Sequence, residues 1–128
     1  GQIDFVDPVK AENSIKAVNT LGVKWDEGAS KEEKLQRIIT QKWIANFPLS
    51  CEAWAEYRRT GYPKLMPMAA NASGGIVNDA EGARRMPYPT DEYRENRESV
   101  EAAVATLTQE SKTKRGDTMA THVWWDCK

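Results

Sequence analysis

The residues best equipped for chemistry are gathered in Cys51–Pro63, which reads CEAWAEYRRTGYP. Trp54, Tyr57 and Arg58 fall at i, i+3 and i+4, so a helix puts them on one face. The Trp54 indole and the Arg58 guanidinium can stack there. Arg59 points away and is free to fork onto a carboxylate or a backbone carbonyl. Gly61 stops such a helix and Pro63 forces an extended exit. A cluster of this density is either an unusual core or a recognition surface. A second arginine pair, Arg84-Arg85, stands in RRMPYP beside Tyr88. Guanidinium groups next to proline-rich backbone commonly satisfy carbonyls that no secondary structure reaches, so this pair reads as structural.

Five tryptophans are the other signal. Trp43 lies on the apolar face of its helix and reads as core, while Trp54 fits either core or the stack with Arg58. Trp124 and Trp125 are adjacent, so in an extended tail they point to opposite faces, one buried and one free. Exposed tryptophan suits sugar rings, whose C–H faces stack on aromatics while their hydroxyls take hydrogen bonds. Trp25, in the loop Val23–Ala29, and Trp125 are the candidates for ligand contact, with packing under a loop as the bland alternative for either. Nucleophilic catalysis finds no support. His122 is the sole histidine, it sits in a tail that reads as structural, and G-x-S-x-G is missing. Carboxylates lie nearly all on polar faces of predicted helices, so no pair is marked for glycoside hydrolysis. Ser73-Gly74-Gly75 lacks the lysine and the strand–helix frame of a phosphate loop. Cys51, Cys127 and His122 have no metal-ligand spacing, and no cofactor is implied. A Cys51–Cys127 disulfide stays open, with free buried thiols as the more ordinary state of two scattered cysteines.

The elements that must position these groups are mainly α-helical. Asp7-Pro8 starts a helix whose apolar face is Ala11, Ile15, Val18 and Leu21, closed by Gly22, so a helix is expected near 8–21. Ser30 and Glu33 form a capping box that opens a second helix over 30–47, ended by Pro48. Ser50 caps the third, near 51–60. Thr90 caps the last, near 91–109, with Asp91 and Glu92 at its positive dipole end. Residues 61–89 hold Pro63, Pro67, Pro87 and Pro89 with Gly74, Gly75 and Gly82, and are expected to be irregular. Short extended pieces are read at Leu65–Met68 and Ile76–Val77. Residues 110–128 read as a polar turn and an extended tail, Ala120–Asp126.

At 128 residues the chain is at most one domain. Its 18 basic and 19 acidic side chains divide evenly, 10 and 9 over residues 1–64 and 8 and 10 over residues 65–128, which leaves a nucleic-acid footprint unsupported. No apolar run approaches the roughly 18 residues of a membrane span. The start at Gly1-Gln2, without an initiator methionine, reads as processed or cloned.

Four ordered motifs carry a resemblance: QKWIA (Gln41–Ala45), EAWAEYRRTGYPKL (Glu52–Leu65), RRMPYPTDEYREN (Arg84–Asn96) and WWD (Trp124–Asp126). Together they are similar to the C-terminal portion of SusD/RagB-type proteins, surface lipoproteins of Bacteroidetes that capture glycans or other nutrients. The resemblance implies a mainly α, SusD-like C-terminal fragment, a single piece of a larger domain, with long irregular loops and little β. It further implies tetratricopeptide-like repeats in an N-terminal remainder, a lipid anchor on that remainder, and a place at the cell surface on the outer membrane. The implied partners are a SusC-like TonB-dependent transporter and an oligosaccharide or peptide ligand, with no catalysis and no nucleic acid. The alternative is a scaffold that docks on the transporter without touching ligand. Under the resemblance Trp54, Tyr57, Arg58, Arg59, Tyr62, Arg84, Arg85, Tyr88, Trp124 and Asp126 become a structural clamp for irregular backbone, with Arg58 and Arg59 both mostly buried. Cys127-Lys128 follow WWD directly, so the chain is expected to end at or near the natural C-terminus.

Overall fold

A computed structural model describes residues 2–126. They divide into two compact units, residues 2–66 and 67–126. Both are helical. Among the described residues the single β feature is an isolated antiparallel bridge between Phe5 and Ile15. Among the described residues no helix is long and apolar enough to cross a membrane.

The first unit opens with a correction. Residues 8–21 are not a helix. One 3-10 turn, Ala11–Asn13, is all that forms, and the chain folds back on itself. Phe5 and Ile15 exchange both backbone hydrogen bonds at 2.9 Å, and the Gln2 amide donates to the Asn19 carbonyl at 2.8 Å. Short polar side chains take the backbone groups that a helix would use. Asp7 accepts from the amides of Val9 and Lys10, and Ser14 accepts from that of Asp7. Such local bonds compete with helix formation, which the apolar periodicity alone does not reveal.

Helix α1, Lys31–Ala45, begins at the capping box. The Ser30 hydroxyl accepts from the Glu33 amide at 3.2 Å, and the Glu33 carboxylate accepts from the Ser30 amide at 2.9 Å. Its buried apolar residue is Ile39. Helix α2, Ser50–Thr60, starts one residue earlier than expected, so Leu49 is the N-cap and Ser50 lies inside the helix. Gly61, at φ 73°, ends it in the left-handed conformation that costs glycine least. Lys42 pins the two helices together through Glu52 at 2.9 Å and Glu56 at 3.1 Å.

The proline- and glycine-rich segment is irregular, and Leu65–Met68 and Ile76–Val77 form no strand. Side chains hold it. Asn71 donates to the Val77 carbonyl at 2.7 Å, the Ser73 hydroxyl accepts from the Val77 amide at 3.0 Å, and Val77 is buried. The expected last helix is two, α3 (Thr90–Glu95) and α4 (Arg97–Glu110), broken where Asn96 leaves helical geometry at φ −135°, ψ 41°. Thr90 lies inside α3 and Pro89 is its N-cap. The tail is a succession of turns rather than an extended strand. Thr121 donates its amide to Thr118, and Asp126 donates its own to Val123.

Candidate functional site

In the first unit the end of α1 and the half-buried face of α2 that carries Trp54 and Tyr57 bound a cleft of about 530 Å³. Trp43, Phe47, Pro48, Trp54, Tyr57 and Leu65 supply most of its wall, and Asn46, Ser50 and Tyr57 are its residues with polar side chains. Phe47 is 88% exposed and Ile44 57%. Trp43, read as core, is instead 40% exposed and lies on the cleft wall. The i, i+3, i+4 spacing does place Trp54, Tyr57 and Arg58 on one face of α2. The Arg58 guanidinium lies 3.7 Å from the Trp54 ring centre, and Arg58 is buried. Arg59 corrects the expectation of two buried arginines: it is exposed and pairs with Glu56 at 2.7 Å. One helical step beyond Arg58 takes a side chain off the buried face. Tyr62 is buried, and its hydroxyl donates to Glu32 at 2.7 Å. Burial first, and then Glu32, push that hydroxyl up to about 12.

The second unit holds the other clamp residues. Arg84 forks Asp126, with Nε donating to Oδ2 at 2.8 Å and Nη2 to Oδ1, and both side chains are almost fully buried. Arg85 pairs with Asp117, and its guanidinium lies 4.9 Å from the Tyr88 ring centre. Asp117 also accepts from the Tyr88 amide at 3.1 Å and the Tyr93 hydroxyl at 2.6 Å. Burial pushes the Asp117 carboxyl up, but the Tyr93, Arg85 and Tyr88 donors outweigh it and hold it below the ordinary carboxylate value. Beside the carbonyls that the sequence suggests as partners, these arginines meet carboxylates. Asp117 was not singled out in the sequence, where it sits in an unremarked polar turn.

His122 is buried, with Nδ1 3.3 Å from Asp126 and Nε2 3.7 Å from Glu81. Among the described residues no group of His, Cys, Asp and Glu could hold a metal ion. A polar hollow of about 370 Å³ lies over Asn78, Glu81 and Arg115. Several of its polar groups serve the loop itself: Asn78 accepts from the Ala80 amide, and Arg115 donates to the Ile76 carbonyl.

The ligand-contact candidates lie apart in the chain. Trp25 is 46% exposed, its indole N–H donates to Glu27 at 2.8 Å, and the Lys34 ammonium sits 5.7 Å from its ring centre. Trp125 is half-buried, whereas Trp124 is 83% exposed, so Trp124 does not belong with the buried clamp residues. The turn at Val123–Asp126 removes the strand alternation on which their assignment rested. Cys51 is exposed and its thiol is free. The disulfide alternative lies outside the described residues at Cys127.

A family model described as SusD-like, Susd and RagB outer membrane lipoprotein, matches residues 1–126. No curated protein matches the chain. Among solved structures, a SusD homolog from Bacteroides ovatus is 79% identical, with a TM-score of 0.83 over 91% of this chain and 23% of that one. A SusD homolog from Bacteroides uniformis is 55% identical, TM-score 0.84, over 98% and 25%. A chitin-binding SusD homolog from Flavobacterium johnsoniae is 44% identical, TM-score 0.84, over 98% and 25%. The chain therefore spans about a quarter of the length of these relatives.

Proposed function

This chain belongs to the SusD/RagB family of outer membrane lipoproteins, and from that premise we propose that it is the C-terminal region of a cell-surface protein that captures nutrient without altering it. The captured ligand is an oligosaccharide or peptide, handed to a SusC-like TonB-dependent transporter. A lipid anchor on the N-terminal remainder holds the assembly at the outer membrane. The observation that carries this reading is the family match across residues 1–126. A chitin-binding relative makes a β-linked amino-sugar oligomer the ligand to test first.

Within such a protein the two clamps act as scaffold. Buried, paired arginines fix irregular backbone, and a charge already matched by a desolvated carboxylate is a poor group to offer a ligand. Ligand contact falls instead to Trp25 and Trp125, joined by the exposed Trp124. Stacking with hydrogen-bond orientation gives affinities on the order of −5 to −8 kcal/mol. The scaffold reading, in which this region docks on the transporter and touches no ligand, is favoured by the apolar character of the cleft.

The test is calorimetry of a protein extended to the length of its relatives against chito-, gluco- and other oligosaccharides and peptides. Saturable binding to one class, without product release, is expected. Silence across the whole panel sinks the capture reading and leaves the scaffold. A large TonB-dependent transporter encoded beside it is the genetic counterpart.

A further inference from the structure

We infer that the polar hollow of the second unit is a subsite for one uncharged sugar ring, held between the Glu81 carboxylate and the Arg115 guanidinium. Its volume of about 370 Å³ lies at the small end of ligand sites and suits a single pyranose rather than an oligomer. The loop that carries Glu81 is fixed by its own bonds. Asn78 accepts from the amides of Ala80 and Glu81 at 2.8 and 3.3 Å, and the Gly82 amide donates to the Asn78 carbonyl at 2.9 Å. Behind Glu81 runs a buried chain of polar groups. His122 reaches Glu81 through Nε2 at 3.7 Å and Asp126 through Nδ1 at 3.3 Å, and Arg84 forks Asp126. Among the described residues the Glu81 carboxylate accepts no hydrogen bond, and Arg115 uses Nη1 alone, donating to the Ile76 carbonyl at 3.1 Å. The unused groups select the ligand. An anion would meet Glu81 and a cation would meet Arg115, whereas neighbouring hydroxyls can donate to the first and accept from the second. Arg84 also lines the hollow but adds no net charge, because Asp126 matches it. Ile76 and Ala120 supply apolar contact for the C–H groups of the ring. The choice of a sugar among neutral polyols rests on the capture reading; the site uses none of the tryptophans.

His122, beside Glu81, is a built-in reporter of the hollow. In the protein extended to the length of its relatives, comparison with His122→Gln identifies its imidazole Hε1 resonance, and methyl β-glucoside or methyl N-acetyl-β-glucosaminide is titrated in. A saturable shift of that resonance is expected. Calorimetric affinity for the same glycosides should fall about tenfold in Glu81→Ala and in Arg115→Met, with circular dichroism to confirm that each variant is folded. Glycosides that leave the resonance unmoved, or that bind both variants as tightly as the parent, overturn the inference. An equal response to diglycine overturns it too, by giving the hollow to a zwitterion. The subsite and the capture reading fail separately. Oligosaccharide binding with a silent His122 removes the subsite and keeps capture; a His122 response beside a silent oligosaccharide panel keeps the subsite and removes capture.

Discussion

At the scale of single residues, the buried charges decide the most. Arg84 and Asp126 are 3% and 1% exposed and satisfy each other through a two-pronged bond. Asp126→Ala leaves a guanidinium buried without its carboxylate and should cost about 3–5 kcal/mol in urea unfolding. Replacing both partners with apolar side chains of similar volume should recover most of that loss, and a small effect of Asp126→Ala would show that the pair is not desolvated in solution. Tyr62 makes a pH prediction. Its hydroxyl is raised to about 12, so the fold favours the protonated phenol. The stability this contributes is whole below the ordinary tyrosine value of about 10 and is lost as pH rises toward 12. Tyr62→Phe should flatten that alkaline loss and remove a component of a 295 nm titration that lies above the ordinary tyrosine value. Asp117 has the opposite sign. Its lowered carboxyl gives stability that is present above the ordinary carboxylate range and lost as pH falls through the lowered value. Asp117→Asn should therefore weaken the acid dependence of unfolding.

At the scale of elements, the starts and stops are local devices and can be removed singly. Ser30→Ala deletes one half of the capping box of α1 and should cost about 1 kcal/mol in denaturant unfolding. Gly116 joins two demands. Its φ is 65°, and a Cβ there would stand 3.0 Å from the Thr108 hydroxyl oxygen and 3.4 Å from a Val104 methyl. Alanine at 116 should lose about 1–2 kcal/mol from the left-handed backbone alone, before any cost of moving Thr108. An unchanged denaturation midpoint would mean that the turn re-forms in another conformation. The ends of elements also show where one-dimensional reading fails. Apolar spacing across 11–21 suits a helix, yet Asp7 and Ser14 take up backbone amides, and Phe5 pairs with Ile15 instead. The run expected near 91–109 breaks at Asn96, which leaves helical geometry while its side-chain amide donates to the Glu92 carboxylate.

At the scale of the whole molecule, the two units carry different surfaces. The first presents the aromatic cleft and an exposed Trp25; the second presents Trp124 above a buried framework of ion pairs. If the proposed capture of oligosaccharide uses these indoles, Trp25→Ala or Trp124→Ala in the longer protein should weaken binding by about 0.5–1.5 kcal/mol for each ring that stacks. Calorimetry on both variants, with unfolding curves to confirm the fold, separates ligand contact from scaffold. Unaltered affinity in both would move the site out of these two tryptophans.

What the sequence determined by itself is whatever one or two helical turns can encode. The Ser30–Glu33 box, the Gly61 stop and the shared face of Trp54, Tyr57 and Arg58 all follow from spacings of three or four residues. The four ordered motifs also carried the family. Tertiary structure alone decided which acids meet the second arginine pair, because Asp126 and Asp117 lie 42 and 32 positions away from their partners. It also decided that Arg58 is buried while Arg59 is not, and that Trp124 rather than Trp125 is the more exposed indole. Burial and ion pairing depend on which distant segments exclude water from a site. No local window of sequence contains that information.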